Sequence, residues 1–82
     1  MSYCVYMLKS LGKKTVTYVG YTKNLKERLH KHNSGKGAKF TRGRKWILIY
    51  KEKFKSKKEA ISREYYIKKN KTFRKKIRLK YL

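Results

Sequence analysis

With 82 residues, the chain is long enough for one small domain, residues 1–82, with a modest core and no room for a second. Its 26 lysines and arginines against 4 acids give a formal charge of +22, which repels itself on folding and points to a polyanionic partner: nucleic acid first, acidic membrane as the weaker alternative. No stretch approaches the roughly 18 apolar residues that span a bilayer, and the first residues lack a secretory signal pattern, so the reading is a cytoplasmic protein.

Residues 3–8 (YCVYML) and 15–19 (TVTYV) are rich in β-branched and aromatic residues, and Gly12 between them suits a turn, which predicts an antiparallel hairpin. Cys4, the single cysteine, has no partner at zinc-ligand spacing and reads as a buried structural thiol. Asn24 three residues before Glu27 is close to a capping box, and its helix runs to about Asn33, where SGKG ends it. WILIY, residues 46–50, is a short apolar run bounded by charge and predicts a third strand. Ser56 three residues before Glu59 opens a second helix that runs to about Asn70. Thr72 is the candidate cap of a last helix, with Phe73, Ile77 and Tyr81 on one face. The fold class is α/β of the α+β type, in the order β-β-α-β-α-α. The lack of proline, repeats or a Gly/Ser-rich linker argues for one continuous fold.

Polar side chains fall on helix stripes that should be apolar. In the first helix Leu25 and Leu29 mark the inward face, and the i, i+3, i+4, i+7 set from Leu25 also contains Arg28 and His32. In the second, Ala60, Ile61 and Tyr65 mark the buried side, and Glu64 points the same way. A carboxylate turned toward a core needs a cation or several donors; a structural salt bridge, boundary snorkelling or a functional site would each provide them. A turn centred on Gly12 places Tyr6 and Tyr18 each six residues away, so the phenols face one another, with Gly20 allowing backbone or substrate to come close. Such a pair either stabilises the sheet or offers phenols for proton transfer, their pKa lowered by positive neighbours.

Cys4-Val5-Tyr6 and Tyr18-Val19-Gly20, with Arg28 ten residues after Tyr18, His32 four later and Glu64 on the following helix, together resemble the GIY-YIG nuclease superfamily. The resemblance covers nearly the whole chain. It is closest to small standalone bacterial members similar to the N-terminal nuclease domain of an excinuclease, and HNSGKGAKFTRGRKW looks like their connecting segment. It implies a small three-stranded antiparallel sheet flanked by helices, in agreement with the element order above. By the same resemblance Tyr6 and Tyr18 are the tyrosines of the two signature tracts. Arg28 is the arginine that stabilises charge on the scissile phosphate, His32 a position that orients or deprotonates water, and Glu64 the metal-binding glutamate. Cys4 stands where the superfamily name has glycine. Tyr21 stands where the excinuclease domain has a lysine, a charge left to Lys23 or another lysine.

Aspartate is absent, and Glu27, Glu52 and Glu59 sit at a helix start, near a strand end and in a capping box. A two-metal centre draws on clustered carboxylates, so only one Mg²⁺ or Mn²⁺ is compatible, held by Glu64 with waters and phosphate oxygens. The resemblance implies one-metal hydrolysis with no small-molecule cofactor, and leaves water activation open among Tyr6, Tyr18 and His32. Lys36, Lys39, Arg42, Arg44 and Lys45, set among flexible glycines, read as a phosphate-gripping loop or as a solvated basic connection, without base readout. Two function classes follow. One is a Mg²⁺-dependent DNA endonuclease acting on branched, nicked or damaged DNA in repair or recombination; the other is a non-catalytic basic nucleic-acid-binding module that keeps the fold. Target choice falls to a protein partner or to recognition of a DNA shape, because no appended domain fits within these residues.

Overall fold

β1 (Tyr3–Ser10), β2 (Thr17–Thr22) and β3 (Trp46–Phe54) form an antiparallel sheet in the order β2-β1-β3, in a computed structural model that describes residues 2–80. Around it lie α1 (Leu25–Asn33), α2 (Lys57–Lys69) and α3 (Lys71–Leu79), with a 3₁₀ turn at Lys39–Thr41 before β3. The order is β-β-α-β-α-α, with all three strands reaching further along the chain than their apolar runs suggest.

β1 is central, and every residue from Cys4 to Leu8 is buried. A strand covered on both faces reads as an unbroken apolar run, which explains the composition of YCVYML. Val5 and Met7 pack with Val19, Ile49, Ala60 and Ile67, against which Phe73 and Ile77 of α3 also lie. Tyr6 and Leu8 point the other way, packing with Trp46 and with Leu25 and Leu29 of α1. Met7 pairs with Tyr50 but Leu8 with Leu48, leaving Ile49 as an extra residue in β3. This bulge lets Ile49 and Tyr50 join the α2–α3 layer while Trp46 and Leu48 face α1.

The hairpin register differs from the one predicted. Tyr6 pairs with Gly20 and Tyr18 with Leu8, because the connection is longer than a turn centred on Gly12. Ser10 closes it: its N–H donates to Val16 O at 2.9 Å, and its Oγ accepts from Val16 N–H at 2.9 Å. A slip of two residues preserves the face on which each side chain projects. Tyr6 and Tyr18 are therefore diagonal neighbours on one face, ring centroids 6.4 Å apart, rather than directly opposed.

Two helix starts lie where the sequence puts them: Asn24 Oδ1 accepts from Glu27 N–H at 3.1 Å, and Ser56 Oγ from Glu59 N–H at 3.2 Å. The third does not. Asn70, rather than Thr72, caps α3 by accepting from Phe73 N–H at 2.9 Å, so α2 and α3 abut at one residue. Arg74 Nη1 reinforces the corner by donating to Ile67 O at 2.8 Å, satisfying a carbonyl at the end of α2. Tyr81 lies outside the described residues.

The buried side of α2 also departs from the pattern. Ala60 and Ile67 are buried, whereas Ile61 is 42% and Tyr65 63% exposed. The helix offers two apolar stripes one residue apart, and the sheet takes the one that begins with Ala60, whose small side chain permits close approach. Glu64, at i+4 from Ala60, still lies on the inward stripe. Replacing the fully buried Ile67 by alanine is expected to cost about 2–5 kcal/mol, seen as a lower urea midpoint at unchanged slope. Among the described residues no helix is long and apolar enough to cross a membrane.

Candidate active site

An open cleft of about 500 Å³ brings the two layers together: Tyr6, Tyr18 and Gly20 line it from the sheet, Arg28 from α1 and Glu64 from α2. Gly20 shapes its floor. A Cβ at this position would meet Tyr6 Oη at 2.6 Å and Tyr6 Cζ at 2.8 Å, so the phenol lies in space that any side chain would fill. Gly20→Ala is expected to displace Tyr6 and to break its bond to His32, costing about 1–3 kcal/mol in denaturant titration and shifting the His32 ring resonances.

Tyr6 is almost completely buried, and its Oη lies 2.8 Å from His32 Nε2. Burial pushes the phenol pKa well above the usual tyrosine value, with Tyr18 and Glu64 adding to the rise and Arg28 opposing it. The expectation that positive neighbours lower this pKa is thus reversed, because desolvation outweighs the single nearby guanidinium. His32 is also buried, and burial and then Arg28 hold it below the usual histidine value, which keeps the ring neutral at neutral pH. Its Nδ1 lies 2.9 Å from Thr41 Oγ1, so both ring nitrogens are engaged and His32 does not line the cleft. It can reach a water there only through Tyr6.

Glu64 faces the cleft with its side chain 18% exposed, and its carboxylate lies 3.6 Å from Lys68 Nζ. No ion pair or hydrogen bond among the described residues engages the Arg28 guanidinium, which leaves its donors for an anion. Glu52 is committed elsewhere: it accepts from Tyr50 Oη and lies 3.2 Å from Arg63 Nε. Ser56, the cap of α2, engages both the N–H and the carboxylate of Glu59, and Glu27 donates its N–H to the α1 cap Asn24 while its carboxylate pairs with Lys31 at 3.3 Å on the rim of the same cleft. Among the described residues no cluster of three or more His, Cys, Asp or Glu forms a metal cage. Cys4 is buried, and burial raises its thiol pKa, as suits an inert structural residue.

Lys23, Lys31 and Lys57 supply positive charge to the cleft, Lys23 Nζ lying 5.6 Å from the Tyr3 ring centroid. Lys57 is a cleft residue that its sequence context does not distinguish from the many other lysines. Arg42, Arg44 and Lys45 line a separate depression with Lys13 and Lys14, while Lys36 and Lys39 lie outside the cleft. Phe40 is 57% exposed and stacks on Tyr18, ring centroids 6.2 Å apart. Thr41 and Gly37, which enclose His32, carry no signal in helical or strand spacing.

A small α+β domain thus brings tyrosines from its sheet and arginine and glutamate from two helices to one basic cleft, an arrangement suited to holding an anionic group. The GIY-YIG catalytic domain model matches residues 2–78. The chain is 54% identical over 66 residues to a UPF0213 protein of Clostridium perfringens, an alignment covering 79% of this chain and 69% of that one. A UPF0213 protein of Staphylococcus haemolyticus is 49% identical over 65 residues, covering 78% of this chain and 77% of that one. The solution NMR structure of a UPF0213 protein from Bacillus halodurans matches with a TM-score of 0.55 at 40% identity, over 98% of this chain and 84% of that one. The chain belongs to the GIY-YIG family, and so to the nuclease superfamily of that name.

Proposed function

We propose that the protein is a divalent-metal-dependent endonuclease of the cytoplasm that hydrolyses DNA phosphodiesters, acting on branched, nicked or damaged DNA in repair or recombination. The observation that supports this reading is the meeting of the Tyr6 phenol, the Arg28 guanidinium and the Glu64 carboxylate at one basic cleft. Target choice comes from the shape of the DNA or from a protein partner.

The donor set fits a single Mg²⁺ or Mn²⁺. Glu64 offers one hard oxygen ligand, and such ions keep several waters and accept substrate phosphate oxygens at the remaining positions. When bound, the ion supplies Lewis-acid stabilisation of charge on the phosphoryl oxygens. The side chains do the rest. Tyr6, with its raised pKa, is a poor acid alone, but His32 Nε2 stands ready to take its proton as the phenol oxygen takes one from water. The imidazolium so formed is disfavoured by burial and by Arg28, so the proton returns once hydrolysis is complete. Arg28 balances the negative charge that builds on the phosphate, a contribution that grows in a cleft partly shielded from water.

Purified protein incubated with linear, nicked and forked DNA in Mg²⁺ or Mn²⁺ tests the reading. Cleavage that chelation abolishes is the expected result. Salt-sensitive binding to all three forms without cleavage would overturn it in favour of a non-catalytic nucleic-acid-binding module, which the charge of +22 would by itself explain.

A further inference from the structure

We infer that Thr41 fixes the tautomer of His32 and so makes Nε2 the acceptor for the Tyr6 proton; the catalytic consequence rests on the nuclease reading, the tautomer itself does not. Thr41 is fully buried in the 3₁₀ turn, and its Oγ1 donates to Ala38 O at 2.8 Å. A hydroxyl carries one proton. With that proton directed at Ala38 O, Thr41 Oγ1 can only accept in its 2.9 Å contact with His32 Nδ1, so the hydrogen there belongs to the ring. A neutral imidazole protonated at Nδ1 presents a lone pair at Nε2, and the Tyr6 hydroxyl, 2.8 Å away, becomes the donor. The opposite tautomer would require Thr41 to turn its proton away from Ala38 O and His32 to donate to Tyr6, which removes the base from the relay.

The surrounding turn holds this arrangement in place. Thr41 O accepts from Trp46 Nε1 at 3.0 Å, tying the turn to the start of β3. Gly37 closes over the ring so tightly that a Cβ there would lie 2.4 Å from His32 Nδ1. The inner side of the basic connecting segment is thus a collar around His32, whatever its lysines and arginines contact outside. Thr41 is a positioning residue: it orients the base that in turn accepts from Tyr6, the role of a third group behind many base-assisted hydroxyls.

Long-range ¹⁵N NMR of the histidine ring nitrogens in the folded protein reads the tautomer directly, and single-turnover cleavage reads its consequence. In the wild type, Nδ1 is expected protonated and Nε2 bare. Thr41→Val, which keeps the shape and loses the hydroxyl, is expected to shift the ring toward Nε2–H and to lower the cleavage rate about 10²-fold with KM changed less than about twofold. Thr41→Ser should restore both. An Nε2–H ring in the wild type overturns the inference even if the valine variant fails to fold, and so does a folded valine variant with wild-type ring signals and rate. Absence of cleavage by the wild type would overturn the nuclease reading instead, and the ring assignment would still decide the tautomer.

Discussion

Glu64→Ala is expected to abolish metal-dependent cleavage, a loss of about 10³-fold or more, while leaving DNA binding intact. The size follows from the several kcal/mol that a Lewis acid contributes to charge stabilisation, at about 1.4 kcal/mol per tenfold in rate. Glu64 is the inward carboxylate of α2, and the other carboxylate lining the cleft, that of Glu27, is occupied by Asn24 Nδ2 and by Lys31. Its own ion pair with Lys68, whose side chain is 49% exposed, is of the screened kind worth at most about 1 kcal/mol. Alanine is a strong helix former, so thermal unfolding should change little. The substitution also removes one of the 4 acids from a chain of +22, so binding should hold or tighten. Retained binding with lost cleavage separates a catalytic defect from misfolding. Equal cleavage by both proteins would assign the activity to a contaminant and sink the nuclease proposal.

Tyr6→Phe is expected to lower the cleavage rate about 10²- to 10⁴-fold, the range over which positioned proton transfer contributes. The ring keeps its place above Gly20, so packing survives and only the oxygen is lost. His32 Nε2 then has no partner in a buried site, which costs about 1–3 kcal/mol and lowers the denaturation midpoint. A phenylalanine variant that cuts at the wild-type rate would remove Tyr6 from the proton path and direct attention to Tyr18. The two tyrosines can be told apart in this way because Tyr18 shares the face and the cleft without sharing the bond to His32.

Much of the fold is legible because it rests on local chemistry. Asn24 and Ser56 accept from the amides three residues on, as their spacing to Glu27 and Glu59 suggests. The third helix shows the limit: Asn70 and Thr72 are both acceptable caps, and Asn70 takes the role where the chain turns out of α2 beside the Arg74 clamp on Ile67 O. The inward stripe of α2 is ambiguous by one residue in the sequence, and packing chooses Ala60 and Ile67 over Ile61 and Tyr65. The hairpin register lies two residues from the expected one because the length of a connection that Ser10 closes through Val16 does not follow from the position of one glycine.

Element order, two of the three helix caps, the shared face of Tyr6 and Tyr18, and the inward direction of Arg28, His32 and Glu64 can all be read from residue order alone. The caps rest on local hydrogen bonds, and the facing directions on the periods of strand and helix, which a shift of two in a strand leaves intact. How these residues divide is a matter of packing, and the folded structure supplies it: Arg28 and Glu64 open to the cleft, His32 withdrawn behind Tyr6, and Arg42, Arg44 and Lys45 lining another depression. It also raised the Tyr6 pKa where the sequence suggested a fall, since desolvation depends on what packs over a group and charge counts do not record it. Thr41 and Gly37 came into view for the same reason: their contacts with His32 are made by a turn folding back, at separations that no periodic pattern marks.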